Sequence, residues 1–148
     1  FVEWVLGHVS SGPLVDLYAG VGLFSLTAKN AGAGPITAVE GDPIASRDLK
    51  RNAGGDMTVL EIPVEKFRTR EKIATTIVDP PRTGMSKEAL ARVIELGAPG
   101  VVYVSCDVAT LARDARVLLD AGYRIVSTRA FDLFPNTAHV ETIISFSR

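Results

Sequence analysis

Short apolar runs alternating with helix-like segments constrain this chain more than any other feature. Runs at residues 14–18, 36–39, 57–62, 74–78 and 101–104 read as strands. Helical stretches are expected at 23–30, from Asp42-Pro43 through Asn52, at 86–96 and from just after Cys106 to about Ala121. Five such rounds are followed by two strands in succession, 123–130 and 139–146. A strand returning to a parallel neighbour needs a crossover, so the pattern predicts an open α/β sheet of seven strands, mostly parallel, with an antiparallel hairpin at its C-terminal end. The opening segment FVEWVLGHVSSG reads as a short amphipathic helix running into a Ser/Gly loop. A length of 148 residues is expected to make one domain, 1–148, large enough for a core without staples.

Open parallel sheets bind ligands at the carboxyl ends of their strands, which directs attention to what ends each run. The first ends in Asp16-Leu17-Tyr18-Ala19-Gly20-Val21-Gly22, a strand entering a glycine-rich turn at a helix start. Gly20 and Gly22 permit a tight turn and close backbone approach. Glu40 ends the second run about 20 residues further on, where a carboxylate can accept from both ribose hydroxyls. A dinucleotide fingerprint calls for a third glycine at position 25, which is Ser25. Asp16 within the turn repels a pyrophosphate and suits a ligand with a positive amino group, such as S-adenosylmethionine. A nicotinamide-dependent oxidoreductase is disfavoured for the same reasons.

Cys106 is the only cysteine, at the end of the fifth run and beside a helix start that favours thiolate over thiol. Position alone leaves two readings, a buried structural cysteine or a reactive one. A single cysteine excludes an intrachain disulfide framework and a multi-cysteine metal site, and it fits an intracellular, cytoplasmic location. No apolar run approaches a membrane span, so neither a membrane nor a metal partner is expected. Net charge is −1, unlike the basic surplus usual in nucleic-acid binders. Basic residues cluster at Arg47, Lys50 and Arg51 and at Lys66, Arg68, Arg70 and Lys72, as solvated faces or as phosphate contacts.

Four blocks, DLYAGVGLFSL from Asp16, DPPRTG from Asp79, VSCDVATLARD from Val104 and DLFPNTAHVET from Asp132, resemble in order and spacing the catalytic domain of the RNA 5-methyluridine methyltransferases. The resemblance covers nearly the whole chain. It implies a class I, Rossmann-like methyltransferase fold that transfers a methyl group from S-adenosylmethionine to carbon 5 of a uridine in tRNA or rRNA. Cys106 is then the nucleophile that adds to carbon 6, and Glu141 the base that removes the carbon 5 proton. Read alone, Glu141 is an ordinary strand carboxylate. The cofactor residues implied are Asp16, Tyr18, Gly20, Gly22, Glu40 and Asp79, the last beside the reacting methyl group. Arg82 either holds RNA phosphate or orients its loop, and His139 contacts RNA or makes a structural hydrogen bond. Pro63, with Glu61 and Glu65 nearby, stands where the family has an acid for the adenine. The chain begins after the family's glutamine-containing substrate motif and RNA-binding region, so RNA is expected to bind mainly through parts outside it. The alternatives are a non-catalytic RNA- or partner-binding module that keeps the fold, and a class I methyltransferase with another substrate.

Overall fold

The computed structural model describes residues 1–137 and 140–148. Their order is α1 (Val2–Leu6), β1 (Leu14–Leu17), α2 (Leu23–Asn30), β2 (Ile36–Glu40), α3 (Pro43–Ala53), β3 (Thr58–Glu61), β4 (Thr75–Val78), α4 (Lys87–Leu96), β5 (Gly100–Ser105), α5 (Val108–Asp120), β6 (Arg124–Phe131) and β7 (Glu141–Ser147). One expected round is incomplete: β3 and β4 are joined by a single 3₁₀ turn, Val64–Lys66, rather than an α-helix. Pro63 at the N-cap position starts that turn, and the chain leaves it extended at Phe67.

The seven strands lie in the order β3-β2-β1-β4-β5-β7-β6. β1 to β5 are parallel, and β7 inserts antiparallel between β5 and β6. Burial explains this order. β7 is buried from Thr142 to Phe146, whereas most of β6 is exposed. The strand that can be covered on both faces goes inside, and the one bearing Arg124, Ser127 and Arg129 forms the edge.

Side chains alternate between two apolar layers, as the pleat requires. Val15, Val78, Val101, Tyr103 and Ile144 pack with α4 and α5 on one face. Leu14, Ile77, Val102, Val104 and Ile143 pack with α1 and α2 on the other. Helix starts follow local chemistry. Asp42 caps α3 by accepting from the N–H groups of Ile44 and Ala45, ahead of Pro43. Ser86 and Asp107 cap α4 and α5 in the same way. Among the described residues no helix is long and apolar enough to cross a membrane.

Candidate active site

At the carboxyl end of β1 the glycine turn is braced by two carboxylates. Asp16 lies inside the strand, fully buried, and not within the turn as its sequence position suggests. Its Oδ2 accepts from the Ser25 N–H at 3.0 Å. The N-cap residue of α2 is Gly22, which has no side chain to cap with. Asp16 therefore does the capping from the neighbouring strand, and Ser25 serves as the donor where a third glycine would have stood. Asp16 Oδ1 is buried and has no hydrogen-bond partner. Burial pushes the carboxyl up to about 7, against the opposing Ser25 hydrogen bonds and with a smaller push from Asp79 and Glu40.

Glu40 ties this turn to the next one. Its Oε2 accepts from the Gly20 N–H and its Oε1 from the Asp42 N–H, both at 2.7 Å. Each oxygen keeps a second lone pair for a ligand hydroxyl. Tyr18 adopts a left-handed backbone (φ 63°), uncommon for a side chain of its size, and its half-buried ring packs on the core. Gly22 is fixed by space as well as by φ: a Cβ there would come within 2.6 Å of Leu49 Cδ1.

A second group of residues gathers beyond β4, β5 and β7. The parallel register aligns Leu17 with Val78, and the Asp79 N–H donates to the Leu17 carbonyl. The antiparallel register ends at the pair Ser105 and Thr142, so Cys106 and Glu141 sit one step beyond, on adjoining strands. Asp79, Cys106 and Glu141 line one cleft of about 260 Å³, together with Phe1, Leu23, Val104, Leu133 and Phe134. Cys106 is partly exposed in it. Burial and the nearby Glu141 carboxylate raise Asp79 to about 7. Leu23, the first residue of α2, borders this cleft, so the glycine turn and the cysteine share one edge of the sheet.

Arg82 is exposed, and its carbonyl accepts from Thr110 Oγ1 at 3.1 Å. Asp107, beside Cys106, is held below the usual carboxylate range, first by the Thr110 N–H and last by the charge of Arg82. His139 lies outside the described residues. The basic clusters engage near neighbours: Lys50 pairs with Glu61 at 2.7 Å, and Arg68 bonds the carbonyls of Glu65 and Phe67. Arg68, Arg70 and Lys72 belong to the loop entering β4, at the sheet edge opposite the cleft.

Four residues of the site region were not singled out by sequence: Tyr103, Thr110, Arg113 and Asp114. Asp114 is fully buried. A legible signal was its place in α5, where it shares the buried face with Leu111, Ala115 and Leu118. A carboxylate on that stripe requires partners.

The seven-stranded arrangement with an antiparallel end is that of the class I S-adenosylmethionine-dependent methyltransferases. Magnesium protoporphyrin IX methyltransferase from Synechocystis with bound S-adenosylmethionine shares it with a TM-score of 0.76 over 99% of this chain and 76% of that one, at 18% identity, which speaks to fold alone. The Pyrococcus abyssi tRNA (uracil-54, C5)-methyltransferase in complex with S-adenosyl-L-homocysteine superposes with a TM-score of 0.87 and 30% identity, over 98% of this chain and 36% of that one. The tRNA (uracil-5-)-methyltransferase family model matches residues 56–148, and the chain belongs to that family. An uncharacterized RNA methyltransferase of Bacillus cereus is 39% identical over 91% of this chain and 31% of its own length. One from Thermotoga maritima is 37% identical over 89% and 31%. The chain thus spans about a third of the length of the curated relatives it matches.

Proposed function

We propose that this chain is the catalytic domain of an S-adenosylmethionine-dependent RNA methyltransferase that methylates carbon 5 of a uridine in tRNA or rRNA through a covalent bond to Cys106. The observation that carries the reading is the common cleft of Cys106, Asp79 and Glu141, at the same sheet edge as the glycine turn.

The residues of the turn fit the cofactor. Asp16 presents a buried oxygen without a partner, suited to the ammonium of the amino-acid tail. Glu40 keeps lone pairs for the ribose hydroxyls, Tyr18 and Gly20 lie on the turn between them, and a Cβ on Gly20 would meet open space. When bound, S-adenosylmethionine supplies an electrophilic methyl group.

Carbon 5 of uracil is too weak a nucleophile to take that group unaided. The Cys106 thiolate adds to carbon 6, forming a C–S bond and moving the electron pair of the double bond toward the carbonyl at carbon 4. Carbon 5 becomes enolate-like and reacts. Glu141 then accepts the carbon 5 proton, the double bond re-forms and the thiolate departs unchanged. Two carboxylates in one small cleft repel each other, and a proton held on Asp79 relieves that repulsion. Leu133 and Phe134 give the cleft an apolar wall for a base. A base within a duplex cannot present carbon 6 to a thiol, so the target is an unstacked or flipped uridine.

RNA carrying 5-fluorouridine tests this reading. Fluorine at carbon 5 leaves no proton to remove, so a stable adduct on Cys106 is expected when cofactor is present. A protein that binds both ligands and forms none refutes it.

A further inference from the structure

The loop after β4 carries Asp79, and the turn after β5 carries Cys106. They come from different strands, yet both are anchored on one buried carboxylate. Asp114 Oδ2 accepts from the Tyr103 hydroxyl at 2.6 Å and from the Met85 N–H at 2.8 Å. Its Oδ1 takes the Arg113 guanidinium, with Nε at 2.8 Å and Nη2 at 2.7 Å. Arg113 Nη2 in turn donates to the carbonyls of Thr83 and Met85, at 3.0 and 3.1 Å. Thr110, one turn earlier on α5, bonds the carbonyls of Arg82 and Asp107. Gly84 closes the contact: its φ is +72°, and a Cβ there would lie 2.5 Å from Arg113 Nη2 and 2.7 Å from Asp114 Oδ2.

We propose that Asp114, with Arg113, is a positioning residue that fixes the Asp79 loop against the Cys106 turn. Between the buried Pro80 and Met85, residues 81–83 of this loop are exposed and gain no anchorage from apolar packing. Four of its backbone groups, from Arg82, Thr83 and Met85, are instead held by α5 side chains. α5 begins just after Cys106, so any shift of the loop along α5 changes the separation of Asp79 from the sulfur. Tyr103 makes the anchor rigid: its ring is fully buried in β5, three residues before Cys106, and burial with the Asp114 hydrogen bond keeps its hydroxyl a neutral donor. A charged acceptor that receives four such bonds resists displacement more than an apolar contact of the same size.

The inference rests on the uracil chemistry proposed above, so the test separates the two. Wild type, Arg113→Ala and Asp114→Asn are each mixed with 5-fluorouridine RNA and cofactor, and both the rate and the final extent of adduct are followed. Adduct in wild type at Cys106 upholds the chemistry, and its absence refutes that chemistry rather than the clamp. The clamp predicts that both variants reach the wild-type extent about tenfold more slowly, with S-adenosyl-L-homocysteine affinity within twofold of wild type. Unaltered rates overturn it. A lower extent at wild-type rate also overturns it, because that marks a loss of folded protein only. Arg113 is half exposed and leaves no core cavity, so Arg113→Ala keeps the test decisive if Asp114→Asn does not fold.

Discussion

Replacing Asp16 with Asn tests the physical state of the glycine turn. In the folded chain the Asp16 carboxyl is raised from 3.8 to about 7. Between those values the folded chain holds a proton that the unfolded chain has released. Stability contributed at this site is therefore greatest below about pH 4 and falls as pH rises to 7. The full shift of roughly 3 pH units corresponds to about 4 kcal/mol, and more than half of it accrues between pH 5 and pH 8. Asn keeps an oxygen for the Ser25 N–H and cannot ionise. Asp16→Asn should therefore gain roughly 2 to 3 kcal/mol relative to wild type on going from pH 5 to pH 8. Urea unfolding of both chains at the two pH values measures this directly. A difference between the chains that stays constant with pH to within about 0.5 kcal/mol refutes the reasoning. The same raised carboxyl predicts proton release on S-adenosylmethionine binding at pH 7, as the ligand's ammonium favours the ionised form. Calorimetry in buffers of different ionisation enthalpy detects it.

Further outcomes follow from the same geometry. Glu40→Ala removes the acceptor for two backbone N–H groups and should weaken S-adenosyl-L-homocysteine binding at least about tenfold by calorimetry. Glu141→Gln should slow turnover about a hundredfold or more while leaving addition to carbon 6 and the first methyl transfer intact, so methylated covalent protein accumulates with ordinary RNA. Gly22→Ala forces a Cβ against Leu49 and Leu26 and should lower stability by about 2 kcal/mol or more in denaturant unfolding.

The sheet was legible because short buried strands and capped helices each carry a local signal. Asp42-Pro43 marked the start of α3, and Asp79-Pro80-Pro81 marked the end of β4. The missing helix between β3 and β4 was not legible, since a charged stretch such as 65–72 suits a helix or a loop equally and tertiary packing decides. Strand ends directed attention to Glu40 and Cys106, because a parallel sheet places those ends along one edge, whereas Glu141, at the start of β7, came only with the family resemblance. Their mutual placement depends on the register of β7 against β5, which joins residues 105 and 142, a separation no local pattern encodes. Asp114 escaped notice because α5 is amphipathic with or without it. The available signal was its place on the apolar stripe with Leu111, Ala115 and Leu118, and its burial shows that the charge faces inward.

In the proposed mechanism Cys106 forms the bond that activates the uracil. Methyl transfer from labelled S-adenosylmethionine to carbon 5 of uridine, compared between wild type and Cys106→Ser, tests it most directly, with S-adenosyl-L-homocysteine affinity as the control for an intact cofactor site. A nucleophilic Cys106 makes the expected result a loss of transfer of at least about a thousandfold with affinity unchanged. Transfer within about tenfold of wild type in Cys106→Ser contradicts it.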